Sequence, residues 1–225
     1  WKNGELNDYE IDYDYKGIYF SGKTMKSINY GEFEVLGRVK GLKDKFLVKF
    51  IEDNTIVLVG GSHMKRGKIK NPNKPHTYGV GYMGQGVYNC INSKKLNTLW
   101  GRMLYRCYST SGNKSIACYK DVVVDPRWHN FQNFCKDIEG LGNYDKWCSD
   151  SYKYQIDKDI NSCSGFEKIY SKDTCMFVTI KNNNSGSHKK PNLTGKTYRA
   201  VRLFDGYNEE FINQLRSYLS FDKTN

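Results

Sequence analysis

A chain of 225 residues with 38% hydrophobic content is long enough to bury a real core and resembles a soluble globular protein in composition rather than a disordered one. No apolar run approaches the roughly 18 residues that a membrane helix needs, so the sequence predicts no membrane partner. The 35 Lys and Arg residues exceed the 24 Asp and Glu residues, which gives a formal net charge of +11. Such an excess is typical of proteins that neutralise nucleic-acid phosphates, although basic surfaces also serve solubility or acidic protein partners.

The cysteines indicate a reducing compartment. An odd number of cysteines without any C-x-x-C pair favours free thiols in a cytoplasm over a disulfide framework. A structural zinc site normally uses closely spaced ligand pairs, so we expect no structural zinc. The seven positions are Cys90, Cys107, Cys118, Cys135, Cys148, Cys163 and Cys175.

The first part of the chain predicts a β-rich domain. Residues 1–30 alternate aromatic and acidic side chains, a pattern that fits one strand or an N-terminal arm. From Phe33 the chain changes to short alternating segments separated by turn residues: EFEVLGRV, KFLVKFI and TIVLVGG. Strands at about ten-residue spacing predict a small β-barrel or meander, which we assign to residues 31–90.

Basic residues are dense in and after these strands. They either follow a phosphate backbone or form a solvated strand face, and the sequence leaves both interpretations open. The candidate nucleic-acid contacts are Lys65, Arg66, Lys68 and Lys70.

Residues 71–95 predict a loop-rich connection and a domain boundary, because prolines and glycines are frequent there. The glycines are spaced too irregularly for a dinucleotide-binding fingerprint, so we expect them to serve backbone turns. They are Gly79, Gly81, Gly84 and Gly86.

Two helices are predicted next from apolar residues at helical spacing, with the short strand DVVV between them. The second helix begins at Asp125 and Pro126, an N-cap followed by proline at the first helical position. Both apolar stripes are expected to be core, and His129 is expected to be a surface histidine. The first stripe contains Leu96, Leu99, Trp100, Met103, Leu104 and Cys107, and the second contains Trp128, Phe131, Phe134, Cys135 and Ile138.

Four segments follow one another in a recognisable order: LWGRMLYRCYS, CYKDVVVDPRWHNFQNFCKDI, YKYQIDKDI and KIYSKDTCMFVTIKNNN. Together they resemble the phage-encoded HNH (ββα-metal) homing-endonuclease-like family, whose shared pattern is W-x-x-M-L-x-R-C-Y, V-x-x-x-W-x-N-F-x-x-F, D-K-D-I and Y-S-x-D-T-C-x-F-V. The likeness covers residues 96–184, and GVGYMGQGVY resembles the N-terminal region of the same group.

This resemblance implies an α+β protein of a phage that binds DNA in the cytoplasm of the infected bacterial host. It also implies a metal-dependent hydrolase, a nuclease that nicks or cleaves DNA with Mg²⁺ or Mn²⁺. In the ββα-metal unit of this family, two strands and a helix surround one cation. The resemblance makes YQID the first strand and CMFVT the second, and it places the start of the helix at IKNNN. A carboxylate and a His or Asn bind the cation, a neighbouring His activates water, and an Asn orients that base.

Carried over by position, the resemblance makes Asp157 the first metal ligand and Asn183 the closing ligand. Lys158 stands where the family has its general-base histidine, and Thr174 stands at the orienting asparagine. A lysine cation has no lone pair to accept a proton, so Lys158 fits a phosphate clamp better than a base. Asp159 fits a replacement ligand or base, with an Asp157–Lys158 ion pair as the alternative. The asparagine run around Asn183 also fits a helix C-cap and linker.

Residues 187–225 predict a basic connection followed by a strand, a hairpin turn and a helix, which loosely resembles the DNA-contact modules of phage nucleases. With residues 91–186 as the HNH-like domain, three functions remain open: a DNA-nicking enzyme, an inactive relative that binds DNA or a host protein as a regulator or inhibitor, and a structural phage component. The candidate DNA contacts of this last segment are Lys189, Lys190, Arg199 and Arg202.

Overall fold

The computed structural model describes residues 9–13, 20–111, 119, 121–158 and 168–184. In these residues the fold is mixed α+β, as predicted, with antiparallel strand pairs and short helices. The chain divides into two compact units: unit 1 comprises Trp1–Ala117 and Pro126–Lys136, and unit 2 comprises Cys118–Asp125 and Asp137–Asn225. The domain division made from the sequence stays a prediction.

Unit 1 contains a four-stranded antiparallel sheet in the order β1-β2-β3-β4. Its strands are β1 (Thr24–Lys26), β2 (Glu32–Arg38), β3 (Lys45–Phe50) and β4 (Ile56–Gly60). This is the predicted meander, and the described residues do not close it into a barrel. Alternate side chains point to one face, where Phe33 pairs with Phe50 and Val35 with Val48, all fully or nearly fully buried.

A short helix, α1 (Gly61–Lys65), follows β4 directly, although the sequence pattern extended the strand through Gly61. A side chain at Gly61 would collide with the Asp44 carboxylate and lie 2.9 Å from the Phe46 ring, so the chain turns where only glycine fits. The buried Met64 of α1 and Ile69 after it complete the core under the sheet.

The two predicted helices are α2 (Lys94–Tyr108) and α3 (Phe131–Ile138), and α3 is preceded by a 3₁₀ turn at Pro126–His129. Every predicted apolar position of the second stripe is fully buried, whereas Leu99 and Cys107 of the first are only half-buried. The indole N–H of Trp100 donates to the carbonyl of Trp128 at 2.7 Å, which joins the two stripes.

The glycine-rich loop before α2 combines backbone turns with close packing. Gly79 and Gly84 have positive φ, and the Gly81 N–H donates to the Thr77 carbonyl and closes a turn. A Cβ at Gly81 would also lie 2.9 Å from the Trp100 ring, and one at Gly86 would collide with the Gln132 side chain. The Gln132 amide donates to the carbonyls of Met83 and Tyr88, both at 2.9 Å. Close packing therefore adds to the turn role that the sequence predicted.

In its described residues, unit 2 contains two strand pairs and two short helices. Its elements are β5 (Val122–Val124), α4 (Tyr144–Ser149), β6 (Tyr154–Asp157), β7 (Lys168–Tyr170), β8 (Met176–Thr179) and α5 (Ile180–Asn184). β5 and β7 pair in parallel, and β6 and β8 pair antiparallel. Trp147 of α4 stacks on Phe177 of β8 with ring centroids 4.9 Å apart. Within the described part of the chain, no helix has the length and apolarity to cross a membrane.

Candidate functional site

The strands β6 and β8 and the helix α5 form a strand–strand–helix unit in the predicted order. Asp157 lies opposite Met176, and Ile156 lies opposite Phe177. α5 begins at Ile180 immediately after β8, and the Ile180 N–H donates to the Lys153 carbonyl at 2.9 Å. This bond fixes the start of the helix beside the residue that leads into β6.

Asp157 is the last residue of β6 and is only 4% exposed. Because side chains alternate along a strand, it points away from the face that Ile156 and Phe177 share with Trp147. Within the described residues, its Oδ2 atom is buried without a hydrogen-bond partner, while Asp157 as a residue takes part in other interactions. Carboxylate oxygens are among the ligands that hard cations such as Mg²⁺ prefer.

Lys158 is 7% exposed, and its Nζ atom lies 5.9 Å from the centroid of the Tyr170 ring in β7. The ammonium lies over an aromatic face, where the ring quadrupole attracts a cation. The role of Lys158 as a phosphate clamp stays a prediction.

Thr174 is 3% exposed and takes part in the turn between β7 and β8. Its hydroxyl donates to the Ile169 carbonyl at 2.7 Å, and it accepts a hydrogen bond from the Ser171 N–H at 3.1 Å. The hydroxyl proton is therefore committed to the backbone, and Thr174 stabilises the turn rather than orienting a base.

Cys175 is a neighbour that the sequence did not single out. The pKa of its thiol is raised to about 12, chiefly by burial and also by the Asp157 charge, while hydrogen bonds with Thr174 and Ser171 and the Lys158 charge act in the opposite direction. The thiol is therefore neutral at physiological pH and is a poor metal ligand or nucleophile. The strand register indicates where Cys175 lies: if the β6–β8 pairing continued by one residue, Cys175 would be opposite Lys158.

Asn183 lies in α5 and is half-buried. The asparagine run from 182 to 184 belongs to the helix, so the described part of this run is not the linker that the alternative interpretation suggested. Asp157 and Asn183 thus belong to the first strand and the helix of one unit. The other candidates from the second half of the chain lie outside the described residues: Asp159, Lys189, Lys190, Arg199 and Arg202.

The candidate phosphate contacts of unit 1 are all exposed. They do not lie on a strand face, because Lys65 ends α1 and the others follow it in a segment outside the sheet. These four residues therefore do not lie on a strand face, although Lys45 and Lys49 of the same basic run lie in β3, and the phosphate-contact interpretation stays a prediction. These residues are Lys65, Arg66, Lys68 and Lys70.

The donor set at the ββα unit fits a weakly held hard cation. In the described residues no three His, Cys, Asp or Glu side chains group as metal ligands. Mg²⁺ keeps several waters and often uses one or two carboxylates together with substrate phosphates, so one buried carboxylate and one amide oxygen are compatible with it. No protein-family model, curated protein or solved structure matches the chain.

Proposed function

We propose that this protein binds DNA and nicks it in a metal-dependent reaction at the HNH-like unit formed by β6, β8 and α5. The observation that carries the proposal is the pairing of β6 with β8, with α5 following at once and Asp157 buried at the end of the first strand. The net charge of +11 supports a polyanionic substrate.

In this proposal Asp157 and Asn183 supply oxygen ligands for Mg²⁺ or Mn²⁺. When bound, such a cation stabilises negative charge on the phosphate and on the leaving oxygen and activates water. Because Asp157 is buried in the protein, its carboxylate stays oriented toward one side of the strand pair. The Thr174 turn keeps the start of β8 in register with the end of β6.

The test is nicking of supercoiled plasmid by the full chain with Mg²⁺ or Mn²⁺. Asp157→Asn removes the ligand charge at nearly constant size and should reduce nicking to the level seen with a chelator. Asp150→Asn is the matched control, because Asp150 forms a surface ion pair with Lys153 at 2.9 Å and its loss should leave nicking intact. Equal nicking by the parent and Asp157→Asn would refute the assigned site.

A second function, DNA binding without cleavage, is favoured by Lys158. A lysine stands at the position where the resembled family has its general-base histidine, and the Thr174 hydroxyl is already bonded to the backbone. This alternative predicts no metal-dependent nicking by the parent, together with salt-sensitive binding of duplex DNA. A chain that binds no DNA even at ~50 mM salt would instead support a host-protein partner or a structural role.

A further inference from the structure

A group of exposed cations in unit 1 lies on two chain segments that pack side by side. We call this group the basic ridge. It consists of Lys26 at the end of β1 and the four cations that end and follow α1: Lys65, Arg66, Lys68 and Lys70. From Gly67 to Asn71 buried and exposed residues alternate, which points Lys68 and Lys70 to the same solvent-facing side.

Two hydrogen bonds hold the two segments together, and the backbones approach closely at Gly67. The Ile28 N–H donates to the Gly67 carbonyl at 3.0 Å, and the buried Ser27 hydroxyl donates to the Ile69 carbonyl at 2.8 Å. Gly67 has φ +63, and a Cβ there would lie only 2.6 Å from the Lys26 carbonyl oxygen. Only glycine allows this approach, so the fold places Lys26 beside the other ridge cations even though the sequence separates them by about 40 positions.

The ridge differs from three other lysines of unit 1 in its lack of ion pairs with carboxylates. Lys40, Lys49 and Lys74 each form an ion pair with a glutamate, at 2.5 to 3.1 Å. Across the residues that the structure describes, none of the ridge cations has such a partner. Residues 23–28 and 61–71 contain no Asp or Glu, and Glu32, which lies opposite Lys26 across the β1–β2 pair, forms no ion pair with it.

The composition of the ridge favours the backbone of a duplex over a single strand. Proteins that bind single strands combine cations with exposed aromatic rings on which bases stack. The ridge segments carry no Phe, Tyr or Trp; their one ring is that of the exposed His63, and Phe20, whose ring centroid lies 5.2 Å from the Lys65 Nζ, is half-buried. Cations with a single histidine ring and no larger exposed ring beside them fit sequence-independent phosphate contacts on double-stranded DNA.

We infer that the basic ridge is a phosphate-binding surface for duplex DNA, separate in sequence from the ββα unit of unit 2. This inference rests on the DNA-binding part of the proposed function and adds the surface that supplies affinity. It requires neither a metal nor catalysis, so it holds whether or not the ββα unit cleaves.

The test compares two triple variants of the full chain in binding to a fluorescently labelled DNA duplex, titrated over a range of salt concentrations. The ridge variant is Lys26→Gln/Lys68→Gln/Lys70→Gln. It should bind at least ~10-fold more weakly at ~50 mM salt, and its slope of log affinity against log salt should be shallower by about 2 to 3, since each phosphate contact contributes about 0.9.

The control variant is Lys40→Gln/Lys49→Gln/Lys74→Gln, which removes the same charge from lysines that are paired with glutamates. Its salt slope should stay within about 0.5 of the parent's slope. Circular dichroism melting of both variants checks that these exposed substitutions leave the fold intact.

Each alternative result overturns the inference in a distinguishable way. Equal weakening by both variants would mean that only net charge matters. If the ridge variant bound DNA as tightly as the parent, the ridge would not be the binding surface, although the protein would still bind DNA. Tighter binding to a single-stranded RNA of the same length would replace the duplex as partner. A parent that binds no duplex at ~50 mM salt would overturn the DNA-binding function itself.

Discussion

Replacing Gly67 with alanine tests the contact that brings the two ridge segments together. Alanine at φ +63 costs about 1–2 kcal/mol for the left-handed backbone. Its Cβ would lie 2.6 Å from a backbone oxygen, which cannot rotate away, so the segment must shift at a further cost of about 1–3 kcal/mol. We expect the free energy of unfolding of unit 1 to fall by about 2–5 kcal/mol in total.

Gly41→Ala is the matched control, because Gly41 has φ +76 and open space around the position of a Cβ. It should lose only the backbone cost of about 1–2 kcal/mol. Urea unfolding followed by circular dichroism measures both variants, and amide exchange of Ile28, whose N–H donates to the Gly67 carbonyl, reports the local contact. Equal losses for the two variants, or unchanged exchange at Ile28, would refute the role assigned to Gly67.

Two further predictions concern titratable groups. Burial lowers the pKa of His76 below 6.5, and the Lys70 charge lowers it as well. The hydrogen bond to the Gly81 carbonyl acts in the opposite direction. The stability that neutral His76 contributes is therefore present above pH 6.5 and is lost as the pH falls through the pKa of His76 in the folded protein. Histidine NMR should show that Lys70→Gln raises this pKa. Titration of His76 at or above pH 6.5 would contradict the assignment. Because burial raises the pKa of Cys175 to about 12, its contribution to stability is lost as the pH rises from 9 toward 12. At pH 9 iodoacetamide should modify the exposed Cys90 and spare Cys175 in the folded chain, and mass spectrometry that finds equal labelling would contradict this.

The sequence predicted the elements whose signal is local. Apolar residues at helical spacing identified the buried faces that carry Trp100 and Phe131, and alternation identified β2, β3 and β4. The apolar helices and the strands of the sheet depend on a repeat of side-chain character within one short stretch of chain, and such a repeat is visible without knowledge of neighbours. The segments YQID and CMFVT were predicted as strands from the family resemblance instead, and they are paired in the structure.

The features that the sequence did not reveal depend on partners distant in the chain. The burial of Lys158 over Tyr170 follows from the placement of β7, and nothing next to Lys158 in the sequence indicates it. The loop glycines were interpreted as turn residues, but Gly86 is small because the Gln132 side chain occupies the space beside it. The prediction of Asp157 and Asn183 as metal ligands came from the family resemblance alone, and the structure adds that both residues belong to one ββα unit.

The interleaving of the two units determines how this protein can be shortened. The backbone passes between them after residues 117, 125 and 136, so unit 1 receives its last portion only after the chain has already entered unit 2. A fragment that stops before Trp128 would leave the Trp100 indole without its carbonyl acceptor. On the ribosome, the same arrangement delays completion of the first core until residue 136 has emerged. Truncated variants should therefore keep both portions of unit 1, and chimeras should exchange the two portions together.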